Sequence, residues 1–194
     1  NLKGGLGSAS IVLSNGVTVG ALVAVNPSGS VVTEGTNSFW ASPYEANKEF
    51  GGKSFEFPNK IFSEYFRGDD NRKDSFSIKN TTIAIVATDL DLSKVELRRV
   101  SVAAHDGISR AIVPSHTPYD GDLVFSVSTA RIKTKIEQSD IYNIGYAASI
   151  CLSRAIARGV YEATPSKNDP LPTWKEVENK SCLLYTSPSP RDIG

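Results

Sequence analysis

The chain has 194 residues, 40% hydrophobic and 22% charged, with 21 basic side chains against 21 acidic ones; that length suffices for one domain with a real core, or for part of a larger one. The balanced charge argues against nucleic-acid and anionic-membrane partners, which require a basic excess. Its longest apolar runs, such as Ala21 to Val25 and Ile83 to Ala87, fall far short of the ~20 residues needed to span a bilayer.

The sequence opens at Asn1 without a methionine and reaches a glycine-rich bend, Lys3-Gly4-Gly5-Leu6-Gly7. Ile11-Val12-Leu13, Ser14-Asn15-Gly16 and Val17 to Val25 predict a hairpin, because Asn-Gly supplies the positive φ angles of a tight turn. Gly20 to Val25 is apolar on both faces and predicts a central strand covered on both sides. It runs into Asn26-Pro27, a routine turn start that also sets a polar side chain at the mouth of a buried sheet. Ser38 to Asp74 lacks steady periodicity and separates its aromatic residues with Gly, Pro and charges. A short helix is expected around Asn59 to Phe66 and a solvated loop over Arg67 to Asp74, in which Arg67-Gly68-Asp69 is a chance tripeptide. A long loop ahead of a backbone break would let two new termini separate without unravelling a core.

The stretch that organises the chain is Ser77-Ile78-Lys79-Asn80-Thr81-Thr82, leading into Ile83-Ala84-Ile85-Val86-Ala87. Locally this is a turn into a β-branched strand. A threonine at the head of a buried strand becomes nucleophilic only with an activating partner, and no Ser/His/Asp spacing or metal-ligand cluster lies nearby. The remaining route is its own amino group. If the Asn80-Thr81 bond is cut, the new α-amine, with a reference pKa of about 7.7–8, can serve as general base for the Thr81 hydroxyl.

Ser93-Lys94-Val95-Glu96 is a capping box, and Leu97, Val100, Ala104, Ile108 and Ile112 follow at helical spacing until Pro114 forbids continuation. Asp120-Gly121-Asp122 places two carboxylates on a tight turn ahead of a strand, Leu123 to Thr129, with Val/Phe on one face and Ser on the other; such acids commonly cap backbone N–H groups. A second amphipathic helix is expected over Ile141 to Tyr161. Within it, Cys151 reads as a core residue, and with Cys182 the sole other cysteine, no disulfide or CxxC motif follows. His105 and His116 do not have metal-ligand spacing. His116 reads first as structural and second as a support for the acid pair. Beyond Thr164-Pro165 the chain is expected to be loose, and Cys182 to Asp192 resembles the in-frame translation of a transposase sequencing adapter or a Ser/Pro-rich disordered tail.

Asn80-Thr81-Thr82-Ile83, Asp120-Gly121-Asp122 ahead of Leu123-Val124-Phe125-Ser126-Val127-Ser128-Thr129, and Lys3-Gly4-Gly5-Leu6-Gly7 upstream together resemble the DmpA-type peptidases, over about Asn1 to Glu162. These are self-processing N-terminal-nucleophile amidohydrolases that include D- and L-aminopeptidases, β-aminopeptidases and 6-aminohexanoate-oligomer (nylon-oligomer) endo-hydrolases. The threonine following Asn80 is closer to the nylon-oligomer branch. The resemblance implies an α/β fold, a four-layer αββα sandwich incomplete at its N-terminus. Residues 1–80 would form the end of an α-chain and 81–164 a β-chain beginning at the nucleophile, followed by a loose 165–181 and the tail 182–194.

Carried over residue by residue, the resemblance implies Thr81 as nucleophile, Asn80-Thr81 as the autocleavage bond, and Asn26 beside the scissile carbonyl. Lys3 would stabilise developing negative charge, Asp122 would contact Thr81 directly, and Asp120 would support it. No metal or organic cofactor is implied. The expected substrate is a peptide or amide oligomer, the assembly a homo-oligomer of processed α/β units, and the compartment cytoplasmic. Two alternatives stay open: a fold that persists without cleaving, and acyl transfer to an amine as in the related ornithine acetyltransferases.

Overall fold

The computed structural model of the chain describes residues 1–58 and 80–184. The Asn15-Gly16 turn joins β1 (Leu6–Val12) to β2 (Thr18–Ala24) as expected: Gly16 takes φ +84°, and the Asn15 side-chain oxygen accepts the Val17 N–H at 3.2 Å. β3 (Ile83–Leu90) lies antiparallel to β2, and β4 (Leu123–Ile132) runs parallel to β3, giving a four-stranded sheet in the order β1-β2-β3-β4. A parallel pair needs a crossover, and α1 (Lys94–Ala111) supplies it. Its start is the capping box read from sequence, with Ser93 N–H donating to Glu96 at 2.7 Å and Glu96 N–H to Ser93 Oγ at 3.4 Å. α2 (Gln138–Tyr161) begins three residues before the expected Ile141, because Asp140 accepts the Glu137 N–H and extends the first turn.

Both helices lie on one face of the sheet. Val19, Val23, Val86, Ile108, Ile144, Leu152 and Ile156 fill the space between, each essentially inaccessible to solvent. Cys151 belongs to this core: its thiol donates to the Val19 carbonyl at 3.4 Å, and burial pushes its pKa up to about 12. α2 lies on the sheet edge at backbone contact, since a Cβ on Gly7 would stand 2.0 Å from the Ala155 carbonyl oxygen. The free carbonyls of the edge strand are also taken up by α2, through Arg154 to Ser10 at 3.0 Å and Arg158 to Ser8. Arg154 is paired in turn with Glu49 from the long loop after β2.

The other face of the sheet is open, and it is apolar. Pairing registers align Leu6, Ala24, Ile83 and Leu123 in one cross-strand row and Ser8, Leu22, Ile85 and Phe125 in the next. Ile83 is 49% exposed, Leu22 45% and Phe125 54%. β2 is therefore central, as its composition suggested, but within the described residues only one of its faces is covered. On β4 the Val/Phe-and-Ser alternation holds, with the faces assigned by contact: Leu123, Phe125 and Val127 point to the open side, and Ser126 and Ser128 point to the helix side. Of the four layers implied by the resemblance, the described residues form two, a sheet and its helices.

The segment expected to be loose after Thr164-Pro165 contains α3 (Trp174–Leu184). Its anchor is Trp174, stacked on Phe39 at 5.5 Å between ring centroids with its indole N–H on the Asn37 carbonyl at 3.0 Å. A Thr173/Glu176 pair caps the helix start. An aromatic contact spanning over a hundred residues of sequence leaves no local periodicity to read. α3 also includes Cys182, which the adapter-like reading had set aside. The helix expected at Asn59 to Phe66 and the Arg67 to Asp74 loop lie outside the described residues.

Candidate active site

β2 ends where β3 and β4 begin, and that end of the sheet gathers the residues singled out in the sequence. Asn80 and Asp120 form an isolated parallel bridge just ahead of β3 and β4. This brings the Asp120-Gly121-Asp122 turn alongside Asn80-Thr81-Thr82, and Asn26 closes the third side.

Thr81 is fixed from both directions along the backbone. Its N–H donates to the Asn26 carbonyl at 2.7 Å, and the carbonyl of the preceding Asn80 accepts the Gly121 N–H at 3.0 Å. On the far side, Thr82 N–H donates to Asp122 Oδ1 at 3.0 Å, and the Thr82 carbonyl accepts the Leu123 N–H at 3.0 Å. The Thr81 hydroxyl donates to the Asn80 carbonyl oxygen at 2.6 Å. The neighbouring threonine is excluded by burial: Thr82 is 0% exposed and its hydroxyl has no hydrogen-bond partner among the described residues.

The bonds of the two acids go to the frame around Thr81. Asp120 Oδ1 accepts the Ser28 N–H at 3.0 Å, and its Oδ2 accepts both the N–H and the hydroxyl of Thr117, at 3.0 and 2.7 Å. Asp122, expected to contact Thr81 directly, uses Oδ1 on Thr82 N–H and Oδ2 on His116 Nδ1, 3.0 Å away. The glycine between them lies against the hydroxyl: a Cβ on Gly121 would stand 3.0 Å from Thr81 Oγ1. Behind His116 packs His105 of α1, with ring centroids 5.2 Å apart. Burial holds the His105 imidazole below its ordinary pKa; His116 adds to this, and Asp122 and Asp106 oppose it.

A cleft of about 370 Å³ opens beside Thr81, lined by Gly4, Gly5, Val25, Asn26, Thr81 and Ile83. Its floor continues into the open apolar face through Ile83. Lys3 borders this cleft through its backbone neighbours, but its ammonium turns to the C-terminal segment, bonded to the Thr164 carbonyl and Asp169 Oδ2, each at 2.8 Å. The Lys3 hydrogen bond, with help from Ser166 N–H, holds the Asp169 carboxyl below the usual range. A larger pocket of about 490 Å³ sits at the opposite end of the sheet among Leu13, Asn15, Tyr44, Asn143, Tyr146 and Ile150, with none of the threonine, acid or histidine groups described above. Among the described residues no three His, Cys, Asp or Glu side chains are placed to share a metal ion, and no helix is long and apolar enough to cross a membrane.

Residues 1–169 match the peptidase family S58. The chain belongs to peptidase family S58. This is the family of DmpA-type aminopeptidases that the motifs resemble. An uncharacterized aminopeptidase of Mycobacterium tuberculosis is 35% identical over 91% of this S58 chain and 52% of its own length. The 6-aminohexanoate-oligomer endohydrolase of Paenarthrobacter ureafaciens is 42% identical over 53 residues, 27% of this chain and 15% of that protein. Among solved structures, the L-aminopeptidase D-Ala-esterase/amidase of Ochrobactrum anthropi, a variant of the Ntn hydrolase fold, superposes with a TM-score of 0.56 at 19% identity, over 95% of this chain and 49% of its own. The chain thus spans about half the length of the relatives it matches.

Proposed function

We propose that this S58 chain carries the nucleophile of a self-processing amidohydrolase, with Thr81 as the reacting residue. The observation that carries the proposal is the 2.6 Å approach of the Thr81 hydroxyl to the Asn80 carbonyl, whose oxygen also receives the Gly121 N–H. In the processing step Thr81 Oγ adds to the Asn80 carbonyl carbon, and negative charge develops on the oxygen facing Gly121 N–H. Such donors commonly account for 10²–10³ in rate, as an order of magnitude (~) for one oxyanion contact. The proton lost by the hydroxyl passes to the Thr81 nitrogen, and collapse breaks the Asn80–Thr81 C–N bond, leaving an ester on Oγ and a free α-amine, which the Asn26 carbonyl holds in place. Water hydrolyses the ester, giving the Asn80 carboxylate and a free Thr81 hydroxyl.

In turnover the α-amine takes the hydroxyl proton as Oγ attacks a substrate amide, and returns it to the departing amine; water then releases the acyl group. Asn26, at the cleft, stabilises the charge that forms. Lys3 serves the same end once its ammonium exchanges Asp169 for the cleft, and Asp120 and Asp122 keep the turn in register. The substrate class is a peptide or a linear amide oligomer, and an apolar cleft floor at Ile83 favours hydrocarbon next to the scissile bond.

The test is hydrolysis of amino-acid anilides and of linear 6-aminohexanoate oligomers by the full-length protein and its Thr81→Ala variant. Hydrolysis that disappears with Thr81 is the expected result. Equal hydrolysis by both proteins, or release of product only when an amine acceptor is supplied, would overturn the reading.

A further inference from the structure

Asp122 is 4% exposed at its side chain, so both of its oxygens need donors. One donor is the Thr82 N–H and the other is His116 Nδ1. A carboxylate only accepts, so the proton between them resides on Nδ1. The Thr82 N–H shares a rigid peptide plane with the Thr81 carbonyl; a change in the angle of Asp122 therefore turns Thr81 about its own ψ. His116 is held for this task on three counts. Its backbone takes φ +53°; the His105 ring packs against it; and Ser115 Oγ bonds to Ser109 Oγ of α1 at 3.0 Å.

We propose that His116 is a positioning residue for Thr81, acting through Asp122. The chain of contact runs His116 Nδ1, Asp122 Oδ2 and Oδ1, Thr82 N–H, and the Thr81 peptide. It touches neither substrate nor the reacting hydroxyl. The inference rests on Thr81 being the nucleophile and assigns what keeps it aimed.

The experiment compares His116→Gly with His116→Asn in the full-length protein, reading Asn80–Thr81 cleavage by intact mass and amide hydrolysis as kcat and KM. Gly and Asn both adopt positive φ with little strain, and only Asn donates a hydrogen bond from the place Nδ1 occupies. The glycine variant is expected to lose about 10²-fold in cleavage rate and in kcat, with KM little moved, as for a misaimed reactive group. The asparagine variant is expected to restore most of that loss. Should the glycine variant not fold, His116→Asp replaces it: it has the shape of Asn, lacks the donor and sets a like charge against Asp122, and the same loss is expected. Wild-type rates in the donor-free variant, or equal impairment with and without the amide donor, would overturn the inference. If Thr81→Ala cleaves and hydrolyses like wild type, the underlying reading fails, a result distinguishable from failure at His116.

Discussion

Thr81 and Thr82 are neighbours with opposite fates. One side chain faces a cleft and its own preceding carbonyl; the other is sealed in the core, its hydroxyl without a partner among the described residues. An unsatisfied buried hydroxyl costs about 1–3 kcal/mol, so replacing it by a methyl of the same shape removes a penalty. Thr82→Val is expected to leave processing intact and to stabilise the fold by about 1 kcal/mol, read as a raised denaturation midpoint. Gly121→Ala is expected to act on processing instead. Its φ is not in the left-handed region, so alanine fits the backbone, but the new methyl would stand 3.0 Å from the Thr81 hydroxyl. Unfolding should barely change, while cleavage at Asn80–Thr81, followed by mass, slows by about 10²-fold as the hydroxyl is pushed off line. Thr81 stood out in the sequence through the motifs that resemble the DmpA-type peptidases, and the structure sets the two of them, around Asn80 and Asp120, side by side. Gly121 belongs to the Asp120-Gly121-Asp122 motif, but the pairing of its backbone N–H with the Asn80 carbonyl was not readable, because a backbone donor leaves no mark on the sequence.

At the scale of elements, most of what local patterning can specify was readable: the Asn-Gly hairpin, the capped helix after β3, and the second helix up to Tyr161. What escaped is what long-range contact decides. The alternation of β4 gives two faces but not which one meets the helices. The serines won that side because their hydroxyls find carbonyls there, Ser126 on Leu97 and Ser128 on Leu90, each at 2.6 Å. Equally invisible was the Glu49–Arg154 pair, which joins the loop after β2 to α2 and, through Ser10, to the edge strand. Both partners are largely buried, so removing one strands a charge. Glu49→Ala is expected to destabilise the fold by about 3 kcal/mol, measured by chemical denaturation, without altering the geometry at Thr81. A loss under 1 kcal/mol would show that water reaches the guanidinium freely.

The whole molecule presents a contradiction between composition and exposure. Among the described residues, a chain of ordinary composition leaves Leu22, Ile83, Ile85, Leu123, Phe125 and Val127 exposed on one face. Contiguous apolar surface of this kind marks an interface. The cleft beside Thr81 borders the same face through Ile83. The 194-residue chain on its own is expected to self-associate at micromolar concentration, and Ile85→Lys combined with Phe125→Lys to return it to a monomer in sedimentation; unchanged association would place the contact elsewhere. The two-layer half was legible in the strand and helix patterns, but the openness of its far face was not, because a strand that is apolar on both sides looks the same whether its second cover is present or not.

Cleavage ahead of residue 81 is the event on which the assigned chemistry depends, and intact-mass analysis of the purified full-length protein, with N-terminal sequencing of the smaller product, reads it directly. Two chains are expected, the second beginning Thr-Thr-Ile-Ala, together with one uncut chain for Thr81→Ala. A wild-type protein that stays in one piece, or that is cut at any other bond, would contradict the account.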